Sequence, residues 1–216
     1  MVEEMLLRWL LTVGFAGTGC WFLVRGLRRA SVADRISSLA HVVMSGGMIA
    51  MVWPWGMSLP VPAQVVVFGV AALWFCAALL DLAPSECSEG RPAHAHHALM
   101  MGAMVWMLVT MPDMPTGSGG GGGHHHHHGS AASGALAQGP AEPGPSGIVF
   151  AVGLLAGAYF VLAALSWISS ALEAARGRAD ADETGEATGQ LRERALDAAC
   201  HAVMSIGTGV MLWTML

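Results

Sequence analysis

Six stretches of this chain are long and apolar enough to span a bilayer, and nothing else in the sequence limits the fold as strongly. They run roughly Met5–Val24, Ile36–Met57, Pro62–Leu82, His94–Met111, Gly147–Leu172 and Ala195–Leu216. A spanning helix needs about 20 mostly apolar residues. Backbone N–H and C=O groups find no water in the hydrocarbon, so each span must satisfy them internally, as helix. The chain is 54% hydrophobic and only 12% charged over its 216 residues, too apolar for an ordinary soluble domain. The expected fold is all-α: an integral membrane bundle of six transmembrane helices, one domain over residues 1–216. The fourth span is the shortest.

The arginines orient the bundle. No lysine is present, and Arg25, Arg28, Arg29, Arg35, Arg91, Arg176, Arg178, Arg192 and Arg194 all fall in the loops joining spans one to two, three to four and five to six. Only Arg8 lies on the other side. The positive-inside rule then puts those three loops in the cytoplasm and both termini outside, in a bacterial plasma membrane. Trp53, Trp55 and Trp213 fall near the outer helix ends, where interfacial aromatics belong. Glu3 and Glu4 precede the first span and the arginines follow it. That polarity is wrong for a cleaved signal peptide, so the first span reads as a retained helix.

Two segments break the pattern. Residues 112–146 hold a glycine run, then His124–His128, then Ala, Pro and Ser. That composition predicts a disordered extracytoplasmic loop. The histidine run reads equally as a metal-capture tract, as repeat slippage in a GC-rich gene or as an inserted tag. Residues 173–193 are charged and predict a cytoplasmic loop with short helical ends. The cysteines Cys20, Cys76, Cys87 and Cys200 form no disulfide framework. No basic patch suggests nucleic acid.

The even-numbered spans share a signature. A histidine is followed by methionines three and ten residues later: His41, Met44 and Met51; His97, Met100 and Met107; His201, Met204 and Met211. The first two helices add Met48 and Met104 seven residues on, where the third has Thr208. At about 100° per residue, these offsets fall within an arc of about 80°, so each set shares one helix face. The chain therefore reads as three hairpins. Each has an odd helix with an aromatic pair (Trp21-Phe22, Trp74-Phe75, Tyr159-Phe160) leading into a His/Met helix.

If the three faces converge, an inner layer of three imidazoles is followed by layers of thioethers. Soft neutral sulfur suits Cu(I) and disfavours hard cations. Cys20, Cys76 and Cys200 lie near the depth of the histidines and could add thiolates. Asp197 stands one turn before His201, where its carboxylate could orient the ring. Ser37 takes the matching place for His41, and His94 lies one turn before His97. His96 reads as a residue of the membrane interface. Methionine is also a flexible core filler, but the distribution is uneven. Of the 15 methionines, all but Met1, Met5 and Met114 fall in the His-bearing spans, and the third and fifth spans have none.

These repeated His-x-x-Met helices, the aromatic-containing odd helices and the size make the chain resemble a bacterial family of small polytopic membrane proteins known only as a domain of unknown function. The resemblance covers nearly everything outside Pro112–Ser146 and implies no activity. The stacked methionines are also similar in kind, though not in fold, to the methionine rings of copper transporters.

Three readings follow. The first is binding, and beyond that conduction, of a soft metal ion such as Cu(I) by His41, Met44, Met48, Met51, His97, Met100, Met104, Met107, His201, Met204 and Met211. The second is haem held between helices, with two of the histidines, or a histidine and a methionine, as axial ligands. The third is a non-catalytic scaffold or accessory subunit, with the bilayer and a membrane protein as its partners. No nucleophile–base pair, phosphate loop, HExxH or CxxC occurs, so the residues give enzyme activity no support.

Overall fold

The structure is a computed structural model, and it describes residues 2–82, 90–110, 147–180 and 185–214. Among these, six α-helices occur: α1 Val2–Arg28, α2 Val32–Val52, α3 Val61–Leu79, α4 Arg91–Thr110, α5 Gly147–Asp180 and α6 Gly185–Thr214. A short 3₁₀ turn, Pro54–Ser58, joins α2 to α3. The long histidine-containing loop expected at 112–146 lies outside the described residues, as does Cys87.

Local chemistry sets several helix ends. Arg25 and Arg28 stand in the last turn of α1, where cations favour the helix dipole. Pro54 opens the 3₁₀ turn after α2, because its ring cannot continue a helix. Pro62 sits in the first turn of α3, where a missing N–H costs nothing. After α3 the chain turns at Asp81, with φ of 56°. This is the left-handed geometry that ends many helices. Asp81 also lies 3.6 Å from Arg91 at the start of α4.

Each hairpin packs along its length: α1 on α2, α3 on α4, α5 on α6. Further contacts of α1 with α6, α2 with α3, and α4 with α6 close the bundle. The even helices are inside. In their most apolar windows α2 and α6 are 39% and 56% buried, against 17–22% for α1, α3 and α5. Two close approaches set the layering. A Cβ on Gly47 of α2 would fall 2.4 Å from the Phe68 ring, and one on Gly207 of α6 would fall 2.3 Å from the Phe15 ring. Glycine at these points lets a buried ring from an odd helix lie against an inner backbone.

The outer surface is apolar. Leu10, Val13, Leu27, Val66, Leu73, Leu155 and Leu162 are all exposed, which suits lipid and not water. Among the described residues, five helices are long and apolar enough to cross a membrane: α1, α2, α3, α5 and α6. The shortest predicted span, α4, is not among them, because His94, His96, His97 and Arg91 dilute its apolar run.

Several boundaries differ from expectation. The second span was expected to reach Met57, but α2 ends at Val52, just before Pro54. Helix α5 continues to Asp180 and α6 begins at Gly185, so most of segment 173–193 is helical. Its alanines, glutamates and arginines are strong helix formers. Falling hydropathy marked where the chain leaves the apolar layer, not where the helix stops.

Candidate metal centre

The three signature histidines meet. His41, His97 and His201 each offer a ring nitrogen within 4.8 Å of the other two, and all three are buried. Their ring centroids stand 4.5 Å (41–97), 4.7 Å (97–201) and 5.2 Å (41–201) apart. Since each comes from a different inner helix, the cluster is a product of the tertiary packing.

Two of the rings are fixed by the same device. His41 Nδ1 donates to the Ser37 carbonyl at 2.7 Å, and His201 Nδ1 donates to the Asp197 carbonyl at 2.8 Å. Both acceptors lie one turn back on the same helix. A carbonyl can only accept, so the proton is assigned to Nδ1, and Nε2 keeps its lone pair. Metal-binding histidines are commonly oriented in this way. The Nε2 atom of His41 lies 3.4 Å from Nδ1 of His97.

The carboxylate of Asp197 was expected to hold His201. Its main-chain oxygen does so instead. The carboxylate accepts from Trp21 Nε1 at 2.7 Å and pairs with Arg25 at 3.0 Å. The side chain at the matching position of α2, Ser37 Oγ, accepts from Trp74 Nε1 at 3.4 Å. A tryptophan of an odd helix thus grips the residue whose carbonyl anchors the histidine.

Three aromatics surround the imidazole cluster. Phe22 stacks on His41 at 4.4 Å and meets His201 edge-on at 5.2 Å. Phe75 lies 5.6 Å from His41 and 5.2 Å from His97. Trp167 stacks on His201 at 4.7 Å and on His97 at 6.4 Å. Each odd helix supplies one ring, and each ring touches two of the three clustered histidines.

Trp167 was missed in the sequence. The pair Tyr159-Phe160 was matched to Trp21-Phe22 and Trp74-Phe75, whereas the residue that reaches the histidines is seven positions beyond Phe160. The signal was present: Phe15, Phe68 and Phe160 each precede an aromatic, Phe22, Phe75 and Trp167, by seven residues. All three leading phenylalanines are buried.

The methionines form the core beyond the histidines. Met44, Met48, Met100, Met104, Met107 and Met204 are fully buried, Met211 is nearly so, and Met51 is half-buried; all belong to one cluster. Met101, outside the predicted ladder, is fully buried among them. Thr208 turns its hydroxyl back to the Met204 carbonyl at 2.8 Å.

Other predicted participants are elsewhere. Cys20 and Cys76 are exposed on the outside of the bundle and cannot add thiolates to the centre; Cys200 is half-buried. The depth estimated from sequence was reasonable, but the helix face was wrong. His96, read from the sequence as a residue of the membrane interface, does not face outward. It is buried, with Nε2 2.8 Å from Ser205 Oγ and Nδ1 3.2 Å from Tyr159 Oη, joining α4, α5 and α6. His94 is buried beside Phe75 at 6.3 Å.

Residues 33–215 match the family described as Domain of unknown function (DUF5134), and the chain belongs to that family. Uncharacterized proteins of Mycobacterium bovis and of two strains of Mycobacterium tuberculosis are each 31% identical to it over 113 residues. That stretch is 51% of this chain and 52% of theirs, so the chain spans about half the length of the relatives it matches. No solved structure matches the chain.

Proposed function

We propose that this membrane protein binds a soft monovalent metal ion, Cu(I) in the cell, at His41, His97 and His201. The observation that carries the reading is the convergence of three buried imidazole nitrogens within 4.8 Å of one another, two of the rings held by main-chain carbonyls. Among the described residues, the group contains no carboxylate or thiolate.

Ligand charge favours the monovalent ion. Three neutral imidazoles leave the whole ionic charge uncompensated in an apolar setting. Burying one unit charge costs on the order of 20 kcal/mol in the idealised limit. That cost scales with the square of the charge, so a divalent ion faces about four times as much. Cu(I) also accepts two or three soft or imidazole ligands readily. Phe22, Phe75 and Trp167 pack against the imidazoles and keep water from them.

The methionine column extends the same chemistry away from the histidines, and conduction along it is the finer form of the proposal. Thioethers are weak enough ligands for an ion to move on. A porphyrin, by contrast, would need a slot beside the imidazoles, and Phe22, Phe75 and Trp167 occupy those spaces. The hairpin pattern, with its repeated Phe-x6-aromatic and His/Met helices, is consistent with triplication of one ancestral hairpin.

The test is metal analysis of purified protein equilibrated with Ag(I), a redox-stable substitute for Cu(I), in a background with the four cysteines replaced by serine. One ion per chain, lost when His41, His97 and His201 are all alanine, is the expected result. Binding that survives the triple substitution, or no binding at all, refutes the proposal.

A further inference from the structure

The histidine cluster is buried, so an ion needs a way in. One cavity leads to it. It encloses about 850 Å³ at the arginine-rich end of the bundle, and both His201 and Trp167 line it. Its charged walls are Arg25, Arg29, Glu173, Glu193, Arg194 and Asp197. The three arginines are matched by three carboxylates, so the mouth is polar and carries no net positive charge to repel a cation. Toward the other end, Met48, Met104, Met107, Phe15 and Phe160 fill the core and are fully or almost fully buried.

Asp197 stands where the cavity reaches the histidines. Its carboxylate ties α6 to α1 through Trp21 and Arg25, at 2.7 and 3.0 Å. Its carbonyl anchors His201. One residue thus does two separable jobs, the first through its side chain and the second through its main chain.

We propose that this cavity is the exchange vestibule through which a soft metal cation reaches and leaves the three histidines, and that the Trp21–Asp197–Arg25 clasp gates the passage. This rests on the metal-binding reading above. Loosening the clasp lets α1 and α6 separate at the mouth while His201 keeps its carbonyl anchor. The gate therefore acts on both rates and not on the affinity.

The experiment is stopped-flow quenching of tryptophan fluorescence by Ag(I), in the cysteine-free background. Asp197→Asn retains the shape and an acceptor for Trp21 but loses the ion pair with Arg25. Association and dissociation should both quicken, by about five- to twentyfold, with Kd changed less than threefold. Ala174→Trp, on the cavity wall, should slow both rates at least tenfold. Ser58→Trp, in the turn between α2 and α3, serves as the control and should change neither.

If the unsubstituted protein binds Ag(I) but Ala174→Trp leaves the rates unchanged, the ion uses another route and the vestibule is refuted while the metal centre stands. If Asp197→Asn weakens Kd without changing the association rate, Asp197 is a ligand and the gate is refuted. If the unsubstituted protein binds no Ag(I), both the centre and its vestibule fall.

Discussion

His41 and His201 are held differently from His97, and the contrast suggests how the centre works. Each of the first two donates Nδ1 to a carbonyl one turn back. In each case a tryptophan of a neighbouring helix grips that same residue's side chain. His97 has Ala93 at the equivalent place, which offers no side chain to grip. Its Nδ1 faces His41, and it is stacked by Trp167 at the longer separation of 6.4 Å. Two rings are thus anchored by main-chain carbonyls, and the third, on α4, meets His41 and Trp167. A pre-oriented ligand loses little rotamer entropy on binding, whereas an adaptable one loses more. His41 and His201 alone could hold a monovalent soft ion in a two-coordinate arrangement, with His97 completing it.

Substitutions can break this comparison in order of severity. His41→Ala or His201→Ala removes one of the pre-oriented pair and should weaken Ag(I) binding about a thousandfold, roughly 4 kcal/mol. Competition titration against a chelator of known affinity reads this directly; equal losses for all three histidines would erase the distinction. Next come the glycines that seat the odd helices on the anchored ones. Gly207→Ala places a methyl against the Phe15 ring, and Gly47→Ala places one against Phe68. Either should lower stability by about 1–3 kcal/mol through overpacking, seen as earlier thermal unfolding in detergent. An unchanged midpoint would mean that the rings move aside freely.

His97→Ala leaves the anchored pair intact and should cost only about tenfold in affinity, roughly 1.4 kcal/mol. X-ray absorption of the bound ion should then report two nitrogen neighbours instead of three. The smallest effect belongs to the grips. Trp21→Phe deletes one hydrogen bond to Asp197 and should cost about 1 kcal/mol of stability. Affinity should stay within about twofold, because the His201 anchor is main chain. A much larger loss of affinity would show that the grip, not the carbonyl, orients the ring.

Acid should act on all of these together. A metal-bound imidazole must be unprotonated, so protons compete with the ion. Affinity for Ag(I) should therefore fall steadily as pH is lowered, and an affinity independent of pH would point to thioether sulfur, which does not titrate, as the main ligand.

Much of the centre was legible along the chain. A helix turns by a fixed angle per residue, so His41, Met44, Met48 and Met51 had to share a face whatever surrounded them. The errors arose where a side chain's neighbours lie on another helix. Cys20 and Cys76 had plausible depth, but the inward face of an odd helix is set by Phe15, Phe22, Phe68 and Phe75, and the thiols fall off it. Asp197 was correctly placed beside His201, yet its carboxylate had better partners in Trp21 and Arg25 than a ring already served by a carbonyl. Trp167 belongs to no adjacent aromatic pair, and only the seven-residue spacing from Phe160 marks it along the chain.

Read alone, the amino-acid order determined that this chain forms apolar helices and that three of them carry histidine and methionine in one stripe, since both follow from hydropathy and from rotation about a single helix axis. The tertiary structure decided that the stripes converge, that three aromatics surround the imidazoles, and that a cavity reaches His201 from the arginine-rich end. Those outcomes depend on the register between helices. That register is set by contacts such as Phe15 against Gly207 and Phe68 against Gly47, which join residues far apart in the chain and have no local periodicity to betray them.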